Sequence, residues 1–291
     1  MKQVEIAIIG AGPGGIAAAI QLKRCGYNPI LFEAEKVGGL LWNANLVENY
    51  PGFPTGISGP GLIKLMIEHL NNLKVEISFD AIDCVKSNGK GSFEIFAKKQ
   101  GNFISNYLII SSGTRPKKLP EKFDEKEELR SNIHRDIRNI LNMDGKRIVI
   151  IGNGDAAFDH ALNLSKRNEI TILIRNLNYN GLKLLESRVA TNSRITVHNS
   201  ISVKAITKVG DSHFILKCLK DLEEIDIESD EIVFSIGREP NIDFYKEEKI
   251  LNNCFLVGDV KNGLYRQAAI AVGDGIRTAM EIDQLIKSRD S

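Results

Sequence analysis

The sequence predicts an α/β fold, because one pattern of strand, glycine-rich turn and helix occurs twice in its 291 residues. The first copy starts with the apolar residues 6–9, which indicate a buried strand, and continues through GAGPGG into an alanine-rich helix. The second copy, residues 147–176, aligns without a gap on residues 5–34. Strand, helix and strand in this order form a βαβ unit, so the chain should contain two parallel sheets flanked by helices.

Composition and charge restrict the class of protein. A hydrophobic fraction of 43% and a charged fraction of 26% are typical of a globular protein, and the length suits about two domains. The net charge of +1, without clusters of Lys, Arg and aromatic residues, argues against nucleic-acid binding. We expect no membrane span and no metal site, because long apolar runs and His or Cys ligand spacing are missing. Four widely separated cysteines indicate a reduced, cytoplasmic protein.

The first glycine-rich turn predicts a dinucleotide site. In G-x-G-x-x-G, Gly10 allows the tight turn, Gly12 lets the backbone approach a pyrophosphate, and Gly15 lets the helix pack closely on the strand. The first N–H groups of the helix then face the phosphates. Glu33 ends the next strand, where a carboxylate can accept hydrogen bonds from a free ribose diol. A turn without a ligand is the weaker alternative, because strand, glycines, helix, second strand and acid all occur in order.

The second turn predicts another nucleotide site with a different ribose preference. Gly152, Gly154 and Ala157 take the places of the three glycines of the first turn. Arg175 stands where the first unit has Glu33, and a guanidinium can accommodate a 2′-phosphate. The first unit should therefore bind FAD or NAD, and the second unit can accept NADP. A surface arginine at a strand end is the alternative interpretation of Arg175.

The remaining elements follow from hydrophobic periodicity and turn residues. Residues 36–61 are rich in glycine and proline and predict a long functional loop. A charged stretch, residues 117–138, predicts a solvated connector with some helix. Helices are predicted over residues 62–73 and 267–286, and residues 182–189 and 195–198 are expected to continue the second unit. Short strands are predicted over residues 75–79, 81–86, 92–97, 107–110, 231–236 and 254–259, and an antiparallel meander over 201–208, 213–219 and 224–228.

Five sequence blocks carry a resemblance to a known family. They are GAGPGG at residues 10–15, GG at 38–39 followed by VENYPGFP at 47–54, SSGT at 111–114, GNGDAA at 152–157 and GDVKNGLYRQAAIAVGDG at 258–275. In order and spacing these blocks resemble the low-molecular-weight thioredoxin reductases, which are flavoproteins, over essentially the whole chain. The resemblance implies two Rossmann-like domains. Residues 1–116 and 241–291 would form a discontinuous FAD-binding domain, with an NAD(P)-binding domain, residues 117–240, inserted between them.

The resemblance also implies which residues hold the cofactors, FAD and NADH or NADPH. For FAD the implied residues are Gly10, Gly12, Pro13, Gly14, Gly15, Glu33, Gly39, Leu41, Asn49, Gly113, Gly258, Asp259, Arg266, Gln267 and Ala268. For NAD(P) they are Gly152, Gly154, Asp155, Ala156, Ala157 and Arg175.

The sequence departs from this family at the redox-active disulfide. The two cysteines of the family's C-x-x-C fall on Arg135 and Arg138, and the acid that follows them falls on Asn139. A disulfide shuttle needs two thiols that can reach each other, so we expect no thioredoxin reduction by the usual route and assign no catalytic side chain. His134 and the two arginines could face the flavin as cations. A solvated connector is the alternative.

A second departure concerns the family's H-R-R phosphate clamp and the arginine that follows it. These positions are Ile174, Arg175, Asn176 and Asn180 here, so one guanidinium remains. Each lost hydrogen bond to a charged group removes about 1.5–3 kcal/mol. Strong NADPH preference is therefore not expected, and NADH becomes a suitable donor.

The sequence thus favours an enzyme that transfers a hydride from NAD(P)H to FAD and passes electrons to an acceptor other than thioredoxin. The acceptor would be a small molecule or a small electron-carrier protein such as ferredoxin or flavodoxin, as in the related ferredoxin-NADP reductases of thioredoxin-reductase type. Two alternatives stay open: a flavoenzyme fed by ferredoxin that makes no use of nicotinamide, and a non-catalytic flavin-binding redox sensor. By resemblance, a homodimer is expected.

Overall fold

The computed structural model describes residues 1–124, 131–179, 181–210 and 213–290. Part of the predicted connector, residues 125–130, lies outside the described residues, as does Asn180. The strands are, in chain order, β1 (Lys2–Ile9), β2 (Ile30–Glu33), β3 (Glu76–Phe79), β4 (Ile82–Ser87), β5 (Phe93–Ala97), β6 (Gly101–Ile110), β7 (Thr114–Pro116), β8 (Ile133–His134), β9 (Arg147–Ile151), β10 (Glu169–Leu173), β11 (Ile195–His198), β12 (Ile201–Lys208), β13 (Phe214–Lys220), β14 (Glu223–Ser229), β15 (Glu231–Phe234), β16 (Arg238–Pro240) and β17 (Cys254–Leu256).

The helices separate these strands in the order expected for βαβ units. They are α1 (Pro13–Arg24), α2 (Gly59–Asn72), α3 (Glu121–Asp124), α4 (Asp155–Leu164), α5 (Lys183–Ala190) and α6 (Ala268–Asp290), with 3₁₀ helices over Gly39–Asn43 and Gly258–Val260. Within the described residues, no helix is both long enough and apolar enough to cross a membrane.

The chain divides into two compact units. Unit 1 comprises residues 1–42, 47–115 and 239–291, and unit 2 comprises residues 43–46 and 116–238. The chain segments that join them, β7 and β16, pair with each other as short strands. Which nucleotide each unit binds stays a prediction at this stage.

Unit 1 is built on a sheet that is parallel on one side and antiparallel on the other. Its parallel strands lie in the order β3-β2-β1-β6, and β17 pairs with the second half of β6 through Cys254–Leu256. The first half of β6 pairs antiparallel with β5, which in turn pairs with β4. The sequence predicted a strand over residues 107–110 alone. The observed strand starts earlier because its first half, in which apolar and polar residues are mixed, pairs with β5 on one side and β1 on the other.

Both faces of the unit 1 sheet are covered. Alternate residues of β1 face opposite sides, as the period of a strand requires. Ile6 and Ile8 belong to the cluster that contains apolar residues of α1 and α6, whereas Ala7 and Ile9 pack with buried side chains of β5 and β6. As expected from the sequence, the C-terminal strand and helix return to the first unit.

Unit 2 repeats the parallel arrangement. Its sheet has the order β11-β10-β9-β15-β8, with parallel pairing throughout. The consecutive elements β9, α4 and β10 correspond to β1, α1 and β2 of unit 1, which is the sequence repeat in structural form. The predicted meander is present as an antiparallel sheet of β12, β13 and β14. Phe214 and Leu216 of β13 pack under the parallel sheet in one apolar cluster with Val149 and Phe234.

A four-residue segment of the long loop belongs to unit 2, although the sequence placed it in the first domain. The side-chain amide of Asn43 donates to Asp136 (Nδ2 to Oδ2, 3.0 Å), and the backbone N–H of Asn45 donates to Asp159 (N to Oδ2, 3.0 Å). Lys166 Nζ donates to Asn45 Oδ1 at 2.5 Å. Residues 43–46 are therefore fixed by polar side chains of unit 2, which no local sequence signal reveals.

Candidate dinucleotide sites

The first glycine-rich turn connects β1 to α1 and is closely packed on one side. Gly10 has a φ of +102°, and its N–H donates to the carbonyl of Phe32 at 2.8 Å. A Cβ added at Gly10 would overlap the carbonyl of Ser111, and one added at Gly15 would overlap the carbonyl of Gly10. An added Cβ at Gly12 would instead meet no heavy atom within 4 Å. The turn is thus tight where it packs and accessible at Gly12, where a pyrophosphate approaches in a dinucleotide fold.

Glu33 lies beside this turn at the end of β2. Its Oε2 accepts a hydrogen bond from the backbone N–H of Ala11 at 2.9 Å, and its Oε1 accepts one from Glu35 at 3.0 Å. These bonds hold the carboxylate next to the glycine turn. This is the position from which an acid contacts a ribose diol.

Residues of the long loop also reach this turn. Gly39 has a φ of +56°, and a Cβ built on it would lie 3.3 Å from the Cα of Gly12. Leu41, two residues on, is 9% exposed. Asn49 Nδ2 donates to Gln267 Oε1 at 2.9 Å. The structure therefore brings together two residues that the resemblance assigned to the flavin half of FAD, although they are far apart in sequence.

Helix α6 packs against α1 at glycine positions. A Cβ added at Gly275 would overlap the carbonyl oxygen of Gly14, so the two backbones touch directly. Asp274, the residue before Gly275, accepts a hydrogen bond from the N–H of Gly258 (N to Oδ2, 3.2 Å). Asp274 thus connects α6 to the 3₁₀ turn that carries predicted flavin residues.

The other predicted FAD residues lie on the same unit. Pro13 is the first residue of α1, and Gly113 has a φ of +65° just after β6. Asp259 lies in the 3₁₀ helix, Arg266 is half-buried, and Ala268 begins α6. Contact of these side chains with FAD stays a prediction. The accessible Gly12, the first turn of α1 and the held carboxylate of Glu33 fit the ADP half of such a cofactor.

The second glycine-rich turn repeats the geometry of the first. The N–H of Gly152 donates to the carbonyl of Leu173 at 3.2 Å, and a Cβ at Gly152 would overlap the carbonyl of Ser235. Gly154 is exposed and caps α4, with no heavy atom within 4 Å of an added Cβ. The side-chain oxygen Oδ1 of Asn153 is buried and has no hydrogen-bond partner among the described residues. The exposed Gly154 and the N-terminus of α4 fit a phosphate group. The Asn153 oxygen is an acceptor, so it can bond only to a donor on the same ligand, such as a ribose hydroxyl or an amine.

Asp155, a predicted nucleotide residue, contacts the protein itself. Its Oδ1 accepts hydrogen bonds from the hydroxyl of Tyr179 (2.6 Å) and the backbone N–H of Leu182 (2.8 Å). The Tyr179 ring stacks on Phe158 of α4 with centroids 3.8 Å apart. Ala156, the next residue of the turn, is exposed.

The end of β10 carries the predicted ribose residue. Arg175 and Asn176 are exposed, whereas Ile174 is 1% exposed and contributes to the core. Ala157 is fully buried under the turn, as expected of the residue that replaces the third glycine. Of the clamp positions in the described residues, Arg175 alone presents a cation. Nucleotide contact by these residues stays a prediction.

The positions expected for a disulfide are held by charged side chains of unit 2. Arg135 is exposed, and the Nε of Arg138 donates to Asp136 Oδ1 at 3.0 Å. His134 Nε2 lies 2.7 Å from Glu231 Oε2, with both side chains largely buried. The hypothesis that His134 offers a free cation therefore loses support, because Glu231 already binds its ring nitrogen.

Two adjacent residues of α4 have pKa values displaced in opposite directions. Burial raises the pKa of Asp159 to about 6, although the N–H of Asn45 and the charge of Lys166 oppose the shift. Burial lowers the pKa of His160 to about 4, against the opposing charge of Asp136. At neutral pH the imidazole of His160 is therefore neutral. The carboxylate of Asp159 is ionised, but its pKa lies closer to neutral pH than that of an ordinary carboxylate.

Some residues that shape the sites were not found from the sequence. Ser111 Oγ lies within hydrogen-bond distance of the carbonyls of Gly10 (2.7 Å) and Ile9 (3.1 Å), which share its one proton, and it fixes the first turn. It lies in the SSGT block, so its place in a motif was a usable signal. Asp274 had a similar signal in the C-terminal block. Tyr179 had none, because its role depends on a contact with Asp155 across 24 residues.

Comparison with known proteins places this chain in a family. The family model described as pyridine nucleotide-disulphide oxidoreductase matches residues 4–275. The thioredoxin reductase of Borreliella burgdorferi is 28% identical over 97% of this chain and 92% of its own length. The structure of Lactococcus lactis thioredoxin reductase, 25% identical, covers 98% of this chain and 99% of that chain with a TM-score of 0.87. The bacillithiol disulfide reductase Bdr of Bacillus cereus, at 20% identity and a TM-score of 0.78 over 97% of this chain, shares the fold.

These matches confirm the α/β fold of two Rossmann-like domains, the thioredoxin reductase-like resemblance and the cofactor pair of FAD and a nicotinamide nucleotide. The chain is an oxidoreductase of this fold. With a family model that spans most of its length, the chain belongs to the pyridine nucleotide-disulphide oxidoreductase family.

Proposed function

We propose that this flavoprotein oxidises NADH or NADPH and delivers the electrons from FAD directly to an acceptor other than thioredoxin. The observation that carries this proposal is the pair Arg135 and Arg138, which stand where the resemblance, aligned without a gap from Gly152, places the family's two cysteines. Arg138 binds Asp136 there, and no cysteine lies near them in the sequence. A dithiol relay requires two thiols that can approach each other, so its usual place in unit 2 cannot supply one.

Unit 1 would hold FAD through its glycine turn and Glu33. The accessible backbone at Gly12 and the first N–H groups of α1 would bind the pyrophosphate, and the Glu33 carboxylate would accept hydrogen bonds from the ribose. Asn49 and Gln267, which already bind each other, would line the flavin half. When bound, FAD accepts the hydride that the reduced nicotinamide provides.

Unit 2 would hold the nicotinamide nucleotide at the start of α4. Gly154 is accessible there, and the buried Oδ1 of Asn153 needs a hydrogen-bond donor. Arg175 is the one cation offered by the described clamp positions, which supports use of NADH as well as NADPH. The family resemblance supports a cytoplasmic homodimer, and a ferredoxin or flavodoxin remains a candidate acceptor beside small molecules.

The test is an anaerobic titration of the FAD-loaded protein with NADH and then NADPH, followed by absorbance of the oxidised flavin. We expect NADH to bleach the flavin. The preference for NADPH should be much weaker than a phosphate clamp with all of the family's cationic residues would give. Turnover should then proceed with a quinone or ferricyanide, whereas thioredoxin with a disulfide substrate should remain oxidised.

A thiol control separates direct transfer from an unrecognised relay. The protein is reduced with NADH, treated with iodoacetamide and assayed again, in parallel with a variant that carries Cys25→Ser and Cys84→Ser. Both should retain quinone reduction, since Cys218 and Cys254 are buried and the other two thiols have no predicted role. Loss of quinone reduction after alkylation, or rapid thioredoxin reduction, would contradict the proposal. Flavin that only dithionite or reduced ferredoxin bleaches would indicate one of the alternatives without nicotinamide.

A further inference from the structure

Asp155 and Tyr179 form a contact whose purpose is not explained by the glycine-rich turn alone. Asp155 is the first residue of α4, where negative charge on a side chain would compete with a phosphate for the helix N-terminus. Its Oδ1 instead accepts two hydrogen bonds from the chain that follows β10, from Tyr179 and Leu182. The carboxylate is therefore directed at this chain.

Several residues of the chain that follows β10 are hydrogen-bonded to the rest of unit 2. The N–H of Ser200 donates to the carbonyl of Asn176 at 3.1 Å, and Asn153 Nδ2 donates to the carbonyl of Asn178 at 3.0 Å. Tyr179 then closes the segment through its bond to Asp155 and its stacking on Phe158. We call residues 175–179 the ribose-side segment, because it begins with Arg175 at the predicted ribose position.

The Tyr179 hydroxyl stays protonated and can therefore always donate its hydrogen bond. Tyr179 is 9% exposed. Burial, assisted by the bond to Asp155, raises the pKa of its hydroxyl well above the usual range, so the hydroxyl keeps its proton. Its ring fills the space over Phe158 with a centroid separation of 3.8 Å, which fixes the direction of the hydroxyl. The hydrogen bond and the stacking therefore hold the segment against the same end of α4.

We propose that Asp155 and Tyr179 are positioning residues of the second nucleotide site, which hold the ribose-side segment in the place where it binds the adenosine ribose. Neither side chain contacts the nucleotide in this arrangement. The inference rests on the proposed use of NADH or NADPH by unit 2. It changes the role of Asp155 from the cofactor contact implied by family resemblance to a contact within the protein.

The test uses Tyr179→Phe, which removes the hydroxyl and keeps the ring on Phe158. Tyr27→Phe is a matched control, because the Tyr27 hydroxyl likewise donates to an aspartate, Asp283 (Oη to Oδ1, 3.0 Å), in unit 1. Binding of NAD⁺ and of NADP⁺ to the FAD-loaded proteins is measured by calorimetry, and KM and kcat for NADH are measured with ferricyanide.

We expect Tyr179→Phe to raise the Kd of both nucleotides and the KM for NADH about tenfold, or about 1.4 kcal/mol. The kcat should stay unchanged, because the tyrosine acts through the segment and not at the reacting atoms. Asp155→Ala removes the acceptor of both hydrogen bonds and should weaken binding similarly. The double variant should bind no more weakly than the weaker-binding single variant, since the two residues act as a unit. Tyr27→Phe should match the wild type.

Two results would overturn the inference while leaving the proposed function intact. In one, wild-type protein binds the nucleotides, and Tyr179→Phe and Asp155→Ala bind them with the same Kd as the wild type. In the other, Tyr179→Phe lowers kcat with KM unchanged, which would place the hydroxyl at the chemistry. If the wild type itself binds neither nucleotide, the proposed function fails, and the inference fails with it. Circular dichroism of each variant checks that it is folded, and Asp155→Ala provides a second measurement if Tyr179→Phe does not fold.

Discussion

At the scale of single residues, α4 carries two neighbours whose ionisation responds oppositely to burial. Burial penalises the charged form of both side chains. Asp159 is neutral at low pH and His160 is neutral at high pH, so the penalty falls on Asp159 at high pH and on His160 at low pH. Between about pH 4 and pH 6 the ionisation of Asp159 lowers stability, whereas the loss of the His160 proton from the unfolded chain raises it. Their effects therefore partly cancel in wild-type protein.

The variant Asp159→Asn should separate the two effects. The folded-state pKa of Asp159, about 6, exceeds its usual value of 3.8, so the folded protein binds this proton more tightly than the unfolded chain. Below about pH 4 the group is protonated in both states and the variant should change little. Above about pH 6 the carboxylate is ionised in both states, and the neutral variant should be more stable by about 1–3 kcal/mol.

Thermal unfolding of this variant and wild type at pH 4 and at pH 7.5 measures the difference, and comparison at equal pH cancels the contribution of His160. Asp83→Asn, on an exposed side chain of unit 1, is the control and should change little at either pH. Equal unfolding temperatures of Asp159→Asn and wild type at pH 7.5 would contradict the expectation.

At the scale of elements, the contact between α1 and α6 depends on positions without side chains. The backbones meet where Gly275 of α6 faces Gly14 of α1, and a Cβ at Gly275 would also come within 2.9 Å of the backbone nitrogen of Ala18. Backbone cannot move aside as a flexible side chain can, so this crossing fixes the distance between the helices. The same pair of helices carries residues of the predicted FAD site.

Gly275→Ala should therefore destabilise the protein by about 1–3 kcal/mol and lower the FAD content after purification. Gly273→Ala is a control on the same helix, because its added Cβ meets nothing within 4 Å. Alanine favours helix over glycine, so this control should be neutral or more stable by up to about 1 kcal/mol. Denaturant unfolding and the ratio of flavin to protein absorbance provide both measurements. Equal losses of stability in the two variants would contradict a specific role of the helix crossing at Gly275.

At the scale of the whole molecule, unit 1 is assembled from separated stretches of chain. β17 adds to β6 in parallel register, and α6 covers α1, so residues 239–290 complete a sheet that residues 1–42 begin. A ligand bound at the turn after β1 should therefore stabilise both ends of the chain together.

Hydrogen exchange of FAD-loaded and FAD-depleted protein tests this coupling. We expect loss of FAD to raise exchange in α1, β2, β17 and α6 together, while β9 to β11 of unit 2 keep most of their protection. Residues of the antiparallel pair β4 and β5 serve as an internal reference. A change confined to α1 and β2, with α6 unaffected, would contradict a shared cofactor site.

The sequence predicted those features that local patterns encode. Repeated glycines, buried strands and the acid or arginine at each second strand end predicted the two Rossmann-like units and their turns. The early start of β6 was missed because polar residues and Gly101 interrupt the apolar pattern of its first half, which becomes a strand through pairing with β5 and β1. The bond from Tyr179 to Asp155 and the membership of residues 43–46 in unit 2 were missed for the same reason, since each depends on a distant partner. The residues that touch each nucleotide remain predictions.

The late position of β17 has a consequence for synthesis on the ribosome. All the parallel strands of unit 2 have been synthesised once β15 has emerged. Residues 108–110 of β6, in contrast, lack their partner on one edge until Cys254–Leu256 has been made. During that interval the nascent chain displays an unpaired strand edge and the uncovered apolar face of α1, which are features that chaperones recognise and that promote aggregation. Slow translation between β15 and α6 should therefore lower the yield of folded protein, and a supply of flavin cannot protect the chain until α6 has been made.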